Sequence, residues 1–361
     1  MHNIGGKQVY KRDPMSTPRL LALATAVPGF RIEQSTVRDA AGRLFKLNGA
    51  DLQRLLPIYD NAGIRYRHSC VPPEWYLQPH GWIERSRLFV QHAVDLLSEA
   101  TAKCLAAAGL TADAIDAVVA VSTTGIATPS LDALMIERLG LRRNVRRLPI
   151  FGLGCSGGVI GISRAVDLAR ALPGSRVLYL VVELCALTFR YGDNSKGNVV
   201  ASALFGDGAA AALISTDGLG PAFGAAGEHT WADSLDVMGW RVQEDGLGVL
   251  FSRDIPALVR ADIRPVTDAF LGTQDIGIAD LTGAVCHPGG AKVIDALEEA
   301  FELPPGGMTI ARDVLRDYGN MSAATVLFVL ERTLAQAVPG RYLMSALGPG
   351  FTVGFQLLET A

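Results

Sequence analysis

Apolar and polar positions along the chain sort it into short buried strands and amphipathic helices. Arg19 to Val27 predicts a first strand closed by Pro28-Gly29, and residues 33 to 56 predict a helix with Val37, Ala40, Leu44 and Leu47 at helical spacing. A long helix is expected over Ser86 to Ala108, a buried strand over Ala117 to Ser122 and a further helix over Leu131 to Leu139. A strand-like run, Leu148 to Phe151, then meets a cluster of small residues and a helix-spaced run, Val159 to Ala171. Arg176 to Leu184 reads as a buried strand that carries Glu183, and a carboxylate there needs hydrogen bonds or a raised pKa. Glu183 is read as a structural anchor. Ala203 to Ser215 turns at Gly-Asp-Gly into a strand of small residues.

The second half repeats this plan. Thr216 to Pro221 reads as the boundary, giving halves 18–218 and 219–361 behind a polar stretch, 1–17, expected to be disordered. Gly283 to Cys286, the loop His287-Pro288-Gly289-Gly290 and a helix from Lys292 to Phe301 parallel the strand, loop and helix at 117 to 139. Asp317-Tyr318-Gly319-Asn320 opens a helix over Ala323 to Leu334, and Arg341 to Leu347 with Thr352 to Leu358 form a closing hairpin. Back-to-back packing of two such halves would bring two helix N-termini, at Cys155 and at Asn320, to one cleft. His287 would reach it from a strand end.

Composition narrows the chemistry. Of 361 residues, 49% are hydrophobic and 19% charged, as in a well-buried globule, and the net charge of −3 argues against a nucleic-acid partner. No run reaches the about 18 apolar residues of a membrane helix. The five cysteines are widely spaced with no ligand-type spacing, so neither a metal site nor a disulfide framework is indicated and a reducing, cytoplasmic setting is expected. One of them, Cys155, lies in F-G-L-G-C-S-G-G-V-I-G-I-S-R. At a helix start, free N–H groups and the helix dipole favour a thiolate, the nucleophilic form. The flanking glycines imply that something approaches the backbone closely. A buried cysteine in a tight helix-packing turn would have the same local sequence.

The motifs taken together resolve that choice. G-C-S-G-G at Cys155, A-L-F-G-D-G-A-A-A at Phe205, H-P-G-G at His287, Y-G-N-M-S at Asn320 and a late G-P-G resemble, in order and spacing, the type III polyketide synthases of the chalcone synthase-like family. The resemblance runs from about residue 19 to the C-terminus. It implies an α/β, duplicated αβαβα thiolase-like fold, a homodimer, and an acyltransferase that needs no cofactor and uses malonyl-CoA and acyl-CoA. Cys155 would carry the acyl chain as a thioester, with an imidazolium at His287 lowering the thiol pKa. His287 and Asn320 would donate hydrogen bonds to the enolate formed when malonyl-CoA loses CO₂. Phe205 matches the family's gatekeeping phenylalanine.

Substrate choice rests on finer likenesses. Cys185, thirty residues after Cys155, stands where long-chain members carry a small residue that opens a tail tunnel, and Thr124 resembles its companion. The segment from Thr188 to Gly208 and the Met238 to Trp240 triplet resemble the bacterial alkylpyrone and alkylresorcinol synthases. Trp240 replaces a plant glycine, and Ala346-Leu347 replaces part of the plant G-F-G-P-G loop that shapes the cyclisation chamber. Thr188, Ser322, Trp240 and Leu347 therefore join Phe205, Cys185 and Thr124 as expected substrate-facing residues. Arg54 and Arg65, from a basic cluster with Arg67 and His68, are candidates for coenzyme A phosphates. A second basic patch, Arg138, Arg142, Arg143, Arg146 and Arg147, could dock an acidic acyl carrier protein. A long-chain starter condensed with malonyl units and closed to an alkylpyrone or alkylresorcinol is the leading expectation. The alternatives are a ketoacyl synthase of the fatty-acid initiating type, making one condensation, and a non-catalytic acyl-binding scaffold.

Overall fold

The computed structural model describes residues 17–361 apart from 253 and 305, so the stretch expected to be disordered lies, up to residue 16, outside the described residues. Thirteen strands are described: β1 (Arg19–Ala26), β2 (Phe30–Glu33), β3 (Tyr66–Ser69), β4 (Ala117–Ser122), β5 (Arg146–Phe151), β6 (Val177–Leu184), β7 (Asp207–Ser215), β8 (Ala222–Thr230), β9 (Met238–Gln243), β10 (Gly246–Phe251), β11 (Gly283–Cys286), β12 (Gly340–Gly348) and β13 (Thr352–Thr360). Nine of them form one sheet in the order β11-β12-β13-β8-β1-β7-β6-β4-β5. Strands of the first half meet those of the second at β1 and β8, through the single pair Arg19 and Ala222. The two arms are in effect two sheets. β4 and β6 are buried at every residue and read as continuous apolar runs, because helices cover both of their faces.

The helices form the other layers. Before β4 come α1 (Gln34–Leu44), α2 (Gly49–Leu55), α3 (Pro57–Asp60) and α4 (Trp82–Ala108), followed by α5 (Leu131–Leu139), α6 (Gly157–Ala171) and α7 (Lys196–Leu204). The second half adds α8 (Ile255–Gly272), α9 (Ala291–Ala300), α10 (Thr309–Tyr318) and α11 (Thr325–Leu334). Helix α4 packs Phe89, Ala93, Leu97 and Cys104 with Val118, Leu180 and Leu213 on one outer face. Helices α6 and α11 lie in the middle, touching each other and strands of both arms, and are buried along most of their length. On the far face α8 packs beside α9. This is the thiolase-like αβαβα layering.

Close approach in the middle layer explains the small residues. A Cβ on Gly158 would collide with the Ala323 carbonyl and Val326 of the second half, and one on Gly157 would lie 2.9 Å from Val121. Where the pattern predicts one helix over 33 to 56, the chain makes two. Lys46 and Gly49 take positive φ, 52° and 53°, which ends α1 and starts α2. Helix α8 carries Pro265 inside it, which masks its helical pattern in the sequence.

Candidate active site

Cys155 sits in a 3₁₀ turn, Gly154–Ser156, between the end of β5 and the start of α6, and is 7% exposed. Two anchors hold this turn. Gly154 N donates to Thr123 Oγ1 at 3.0 Å, and Thr123 N in turn donates to buried Glu183, which also accepts from Thr124 N at 3.0 Å and Thr124 Oγ1 at 2.7 Å. Glu183 is the anchor expected from its place in an apolar strand. Burial raises its carboxyl to about 7 while these donors oppose the rise. From the other half, Pro349 presses against Gly154, whose φ of 51° and missing Cβ make the approach possible.

His287 follows β11, its backbone N donating to Ser345 O at 2.8 Å. Both ring nitrogens are buried without a hydrogen-bond partner, so the ring is open to whatever enters the site. Asn320 is tied to the Phe205 segment by a parallel bridge: Asn320 N donates to Leu204 O at 2.8 Å and Gly206 N donates to Asn320 O at 3.0 Å. Its side chain accepts from Ser322 N at 2.8 Å and donates to Gly289 O at 3.1 Å, which leaves one amide N–H free. Cys155, His287 and Asn320 line one cavity of about 520 Å³, with Leu347 and the apolar side chains of Leu204, Met238 and Phe251.

Electrostatics correct one expectation. Burial pushes the Cys155 thiol up to about 12 and the His287 imidazole down to about 3, so each is driven toward its neutral form rather than toward a standing imidazolium–thiolate pair. Opposing this at the sulfur is the Ser322 hydroxyl, held against Cys155 by a backbone with φ of 47°. The two residues are therefore both neutral in the resting site, and neither imidazole nitrogen is engaged by another protein group among the described residues.

A second cavity, about 210 Å³, lies beside the first. Cys185, Ala186, Phe189 and Phe205 line it with Ile32, Val37, Ala40, Leu44 and Leu77, and the exposed residues Thr36, Arg43 and Glu74 stand on its rim. Phe205 packs on Phe251 of the catalytic cavity at 5.8 Å between ring centroids and on Trp240 at 6.0 Å. Of the residues expected to face substrate, Leu347 lines the catalytic cavity, and Phe205 and Cys185 line the second. Ser322 contacts Cys155. Thr124 is taken up by Glu183, Thr188 Oγ1 donates to Cys185 O at 2.6 Å, and Trp240 supports Phe205; none of the three lines either cavity.

Arg54 and Arg65 line neither cavity. Arg54 is exposed with Asp51 at 3.6 Å, and Arg65 lies over the Tyr66 ring. The exposed cations on the catalytic cavity are Lys196 and Lys292, which sequence reasoning missed; neither forms an ion pair among the described residues. Both stand in the first turn of a helix, α7 and α9, in segments already singled out by the Phe205 and His287 motifs. In the second basic patch Arg138, Arg142, Arg143 and Arg147 pair with Asp95, Asp116, Glu137 and Asp132, so most of its charge is neutralised internally. Among the described residues, no group of three or more His, Cys, Asp or Glu could hold a metal ion, and no helix is long and apolar enough to cross a membrane.

Comparison with known proteins bears on what this geometry serves. Family models for the N-terminal and C-terminal domains of chalcone and stilbene synthases match residues 10–218 and 225–359. The chain is 35% identical to a putative chalcone synthase of Bacillus subtilis (strain 168), over 92% of this chain and 96% of that protein. It is 38% identical to the 1,3,6,8-tetrahydroxynaphthalene synthase of Streptomyces peucetius subsp. caesius, over 94% and 92%. It is 27% identical to the alpha-pyrone synthesis polyketide synthase-like Pks18 of Mycobacterium tuberculosis (strain ATCC 25618 / H37Rv), over 99% and 95%. Among solved structures, the tetrahydroxynaphthalene synthase of Streptomyces coelicolor A3(2), a bacterial type III polyketide synthase, superposes with a TM-score of 0.88 at 29% identity, covering 95% of this chain and all of that one.

Proposed function

The chain belongs to the chalcone and stilbene synthases, the type III polyketide synthases, and from that premise we propose that it loads a long-chain acyl starter on Cys155, extends it with two or three malonyl units and releases an alkylpyrone or alkylresorcinol. The acyltransferase activity follows from the family. The starter and product are our reading.

The chemistry follows from the catalytic cavity. The Cys155 proton passes to His287, the sulfur attacks the starter thioester carbonyl, and the carrier leaves as its thiol, taking the proton back. Malonyl-CoA then loses CO₂; the broken C–C bond leaves its electron pair as an enolate whose oxygen accepts from an N–H of His287 and the free amide N–H of Asn320. Each such donor in a dry site lowers the barrier by about 3 kcal/mol. The enolate carbon attacks the Cys155 thioester and expels the sulfur, which takes up a proton from solvent. The chain, two carbons longer on coenzyme A, returns to Cys155 by the same thioester exchange that loaded the starter, freeing coenzyme A as its thiol for the next round. Lys196 and Lys292 offer positive charge where the phosphates of coenzyme A would lie.

The observation that carries the long-chain reading is the second cavity. It meets the site's aromatic partition at Phe205 and Cys185, its lining is mainly apolar, and its volume is about 210 Å³. At about 30 Å³ per water-sized group, it takes some seven methylenes before a tail reaches the rim at Thr36, Arg43 and Glu74. A homodimer is part of the proposal. β5 ends the sheet with an unpaired edge, Leu148 and Phe151 are 38% and 58% exposed there, and an open apolar edge calls for a partner.

The test is to incubate the protein with malonyl-CoA and starters from acetyl to about twenty carbons, with Cys155→Ala as control, and to identify products by mass spectrometry. Pyrones or resorcinols favouring long starters are expected. Products made from malonyl-CoA alone, or from short and aromatic starters in preference, would remove the long-chain reading and keep the synthase. Single-extension ketoacyl products would favour the initiating ketoacyl synthase.

A further inference from the structure

We propose that Arg67 is a positioning residue for the condensation, holding Phe205 and Asn320 in register across the junction of the two halves. Arg67 lies on β3, is 4% exposed, and pairs with no carboxylate among the described residues. A buried guanidinium without a counter-ion is costly unless its donors are met by strong acceptors. Here its two Nη groups are met, three times by the end of α7 and once by Gln34, while Nε is buried without a partner: Nη1 donates to Ser202 O at 2.6 Å and Phe205 O at 3.1 Å, and Nη2 donates to Ala203 O at 2.9 Å and to Gln34 Oε1. Those carbonyls have no partner within the helix, at the negative end of its dipole, so the cation caps the helix at the point where Phe205 leaves it. Burial lowers the guanidinium to about 10, which leaves it charged at neutral pH.

The same residue underlies Asn320. Phe205 and Asn320 form an isolated parallel bridge, and the glycines on either side, Gly206 and Gly319, would place a Cβ 3.4 Å and 3.6 Å from Arg67 Cβ. Arg67 therefore packs directly beneath the bridge. Gln34 braces it from the other side, its Nε2 donating to Ala203 O at 3.0 Å and Tyr59 O at 3.3 Å. Loosening this cap lets the end of α7 shift, and Phe205 and the bridged Asn320 shift with it, whereas Cys155 and His287 are held by other elements. Malonyl decarboxylation and extension should suffer while loading of Cys155 does not.

This inference rests on the roles assigned above to Cys155 and Asn320. Because Arg67 also lines the second cavity, the experiment uses an acetyl starter that does not extend into it: for Arg67→Lys and Arg67→Gln it measures the rate of Cys155 acylation by acetyl-CoA on the intact protein, the kcat and KM of malonyl-CoA decarboxylation, and Tm. Arg67→Lys keeps the charge but cannot span all four acceptors. The expected result is near-normal acylation with decarboxylation kcat down about tenfold or more, KM changed little, and a rise in products released after too few extensions. An unchanged ratio of decarboxylation to acylation would overturn the proposal, as would loss of folded protein in both variants, which would make Arg67 a plain stability anchor. Asn320→Ala serves as reference: if it decarboxylates malonyl-CoA normally, the failure lies in the role given to Asn320, not in Arg67.

Discussion

The turn that carries Cys155 is pressed from the second half by Gly348, at the end of β12, and Gly348→Ala tests whether that contact sets the catalytic geometry. A Cβ there would lie 2.5 Å from Leu153 O and Ser156 Oγ and 2.7 Å from Ser156 N. Carbon–oxygen contacts relax at about 3.3 Å, so strand and turn must separate by about 0.8 Å. Two of the three contacts are to backbone, and Ser156 Oγ is itself held by its hydrogen bond to Leu153 O at 2.7 Å, so little can yield without moving the turn. Overpacking of this kind costs about 1–3 kcal/mol of stability, and a misplacement near 1 Å lowers a rate by up to about 100-fold. The assay is malonyl-CoA decarboxylation and condensation by the purified variant, with thermal unfolding alongside and Gly272→Ala as control, since a Cβ at Gly272 meets nothing within 4 Å. We expect kcat to fall tenfold to 100-fold in Gly348→Ala, with more than nine-tenths of the protein still folded at the assay temperature. A variant that loses stability yet keeps kcat within twofold of the parent would refute the reasoning, because the turn would then tolerate displacement.

Two further outcomes follow from the cavities and from burial. Cys185→Phe fills part of the second cavity beside Phe205; if that cavity takes the starter's tail as proposed, then at about 0.8 kcal/mol per methylene denied burial excluding four methylenes lowers kcat/KM for a long starter by roughly 200-fold while leaving an acetyl starter unaffected, and equal losses with both starters would separate Cys185 from the tail. His287 titrates at about 3 in the folded protein against about 6.5 unfolded, so the unfolded chain binds the extra proton between those values and stability falls as pH drops from 6.5 toward 3. His287→Phe is expected to flatten that acid limb in urea-unfolding curves recorded from pH 7 to pH 4, and a limb as steep as the parent's would assign the acid lability elsewhere.

Much of the fold could be read from local pattern because its central strands are buried on both faces and therefore appear as unbroken apolar runs, as β4 and β6 do. The catalytic candidates were legible for a similar reason. Cys155 and Asn320 each sit where a strand or loop turns into a helix, and the glycines that permit close approach mark those turns. Lys196 and Lys292 carried no comparable signal, since an exposed lysine in a first helical turn looks like any surface residue. Arg67 read as one member of a basic cluster, although the fold buries it and leaves Arg65 outside.

The sequence by itself determined the layered α/β class, the turn that presents Cys155, and the ordered motifs that mark the chalcone and stilbene synthase family. Only the tertiary structure decided what those glycines admit, which is the Ala323 backbone and the Pro349 ring of the other half. It also decided that Cys185 and Phe205 border a cavity of their own, assembled from α1, β3, the Pro73–Leu77 turn and α7. The physical reason is that local pattern records which face of an element is buried, whereas a cavity is the space left between elements far apart in the chain. Protonation follows the same division: residue type makes Cys155 and His287 a possible ion pair, and burial drives both toward their neutral forms.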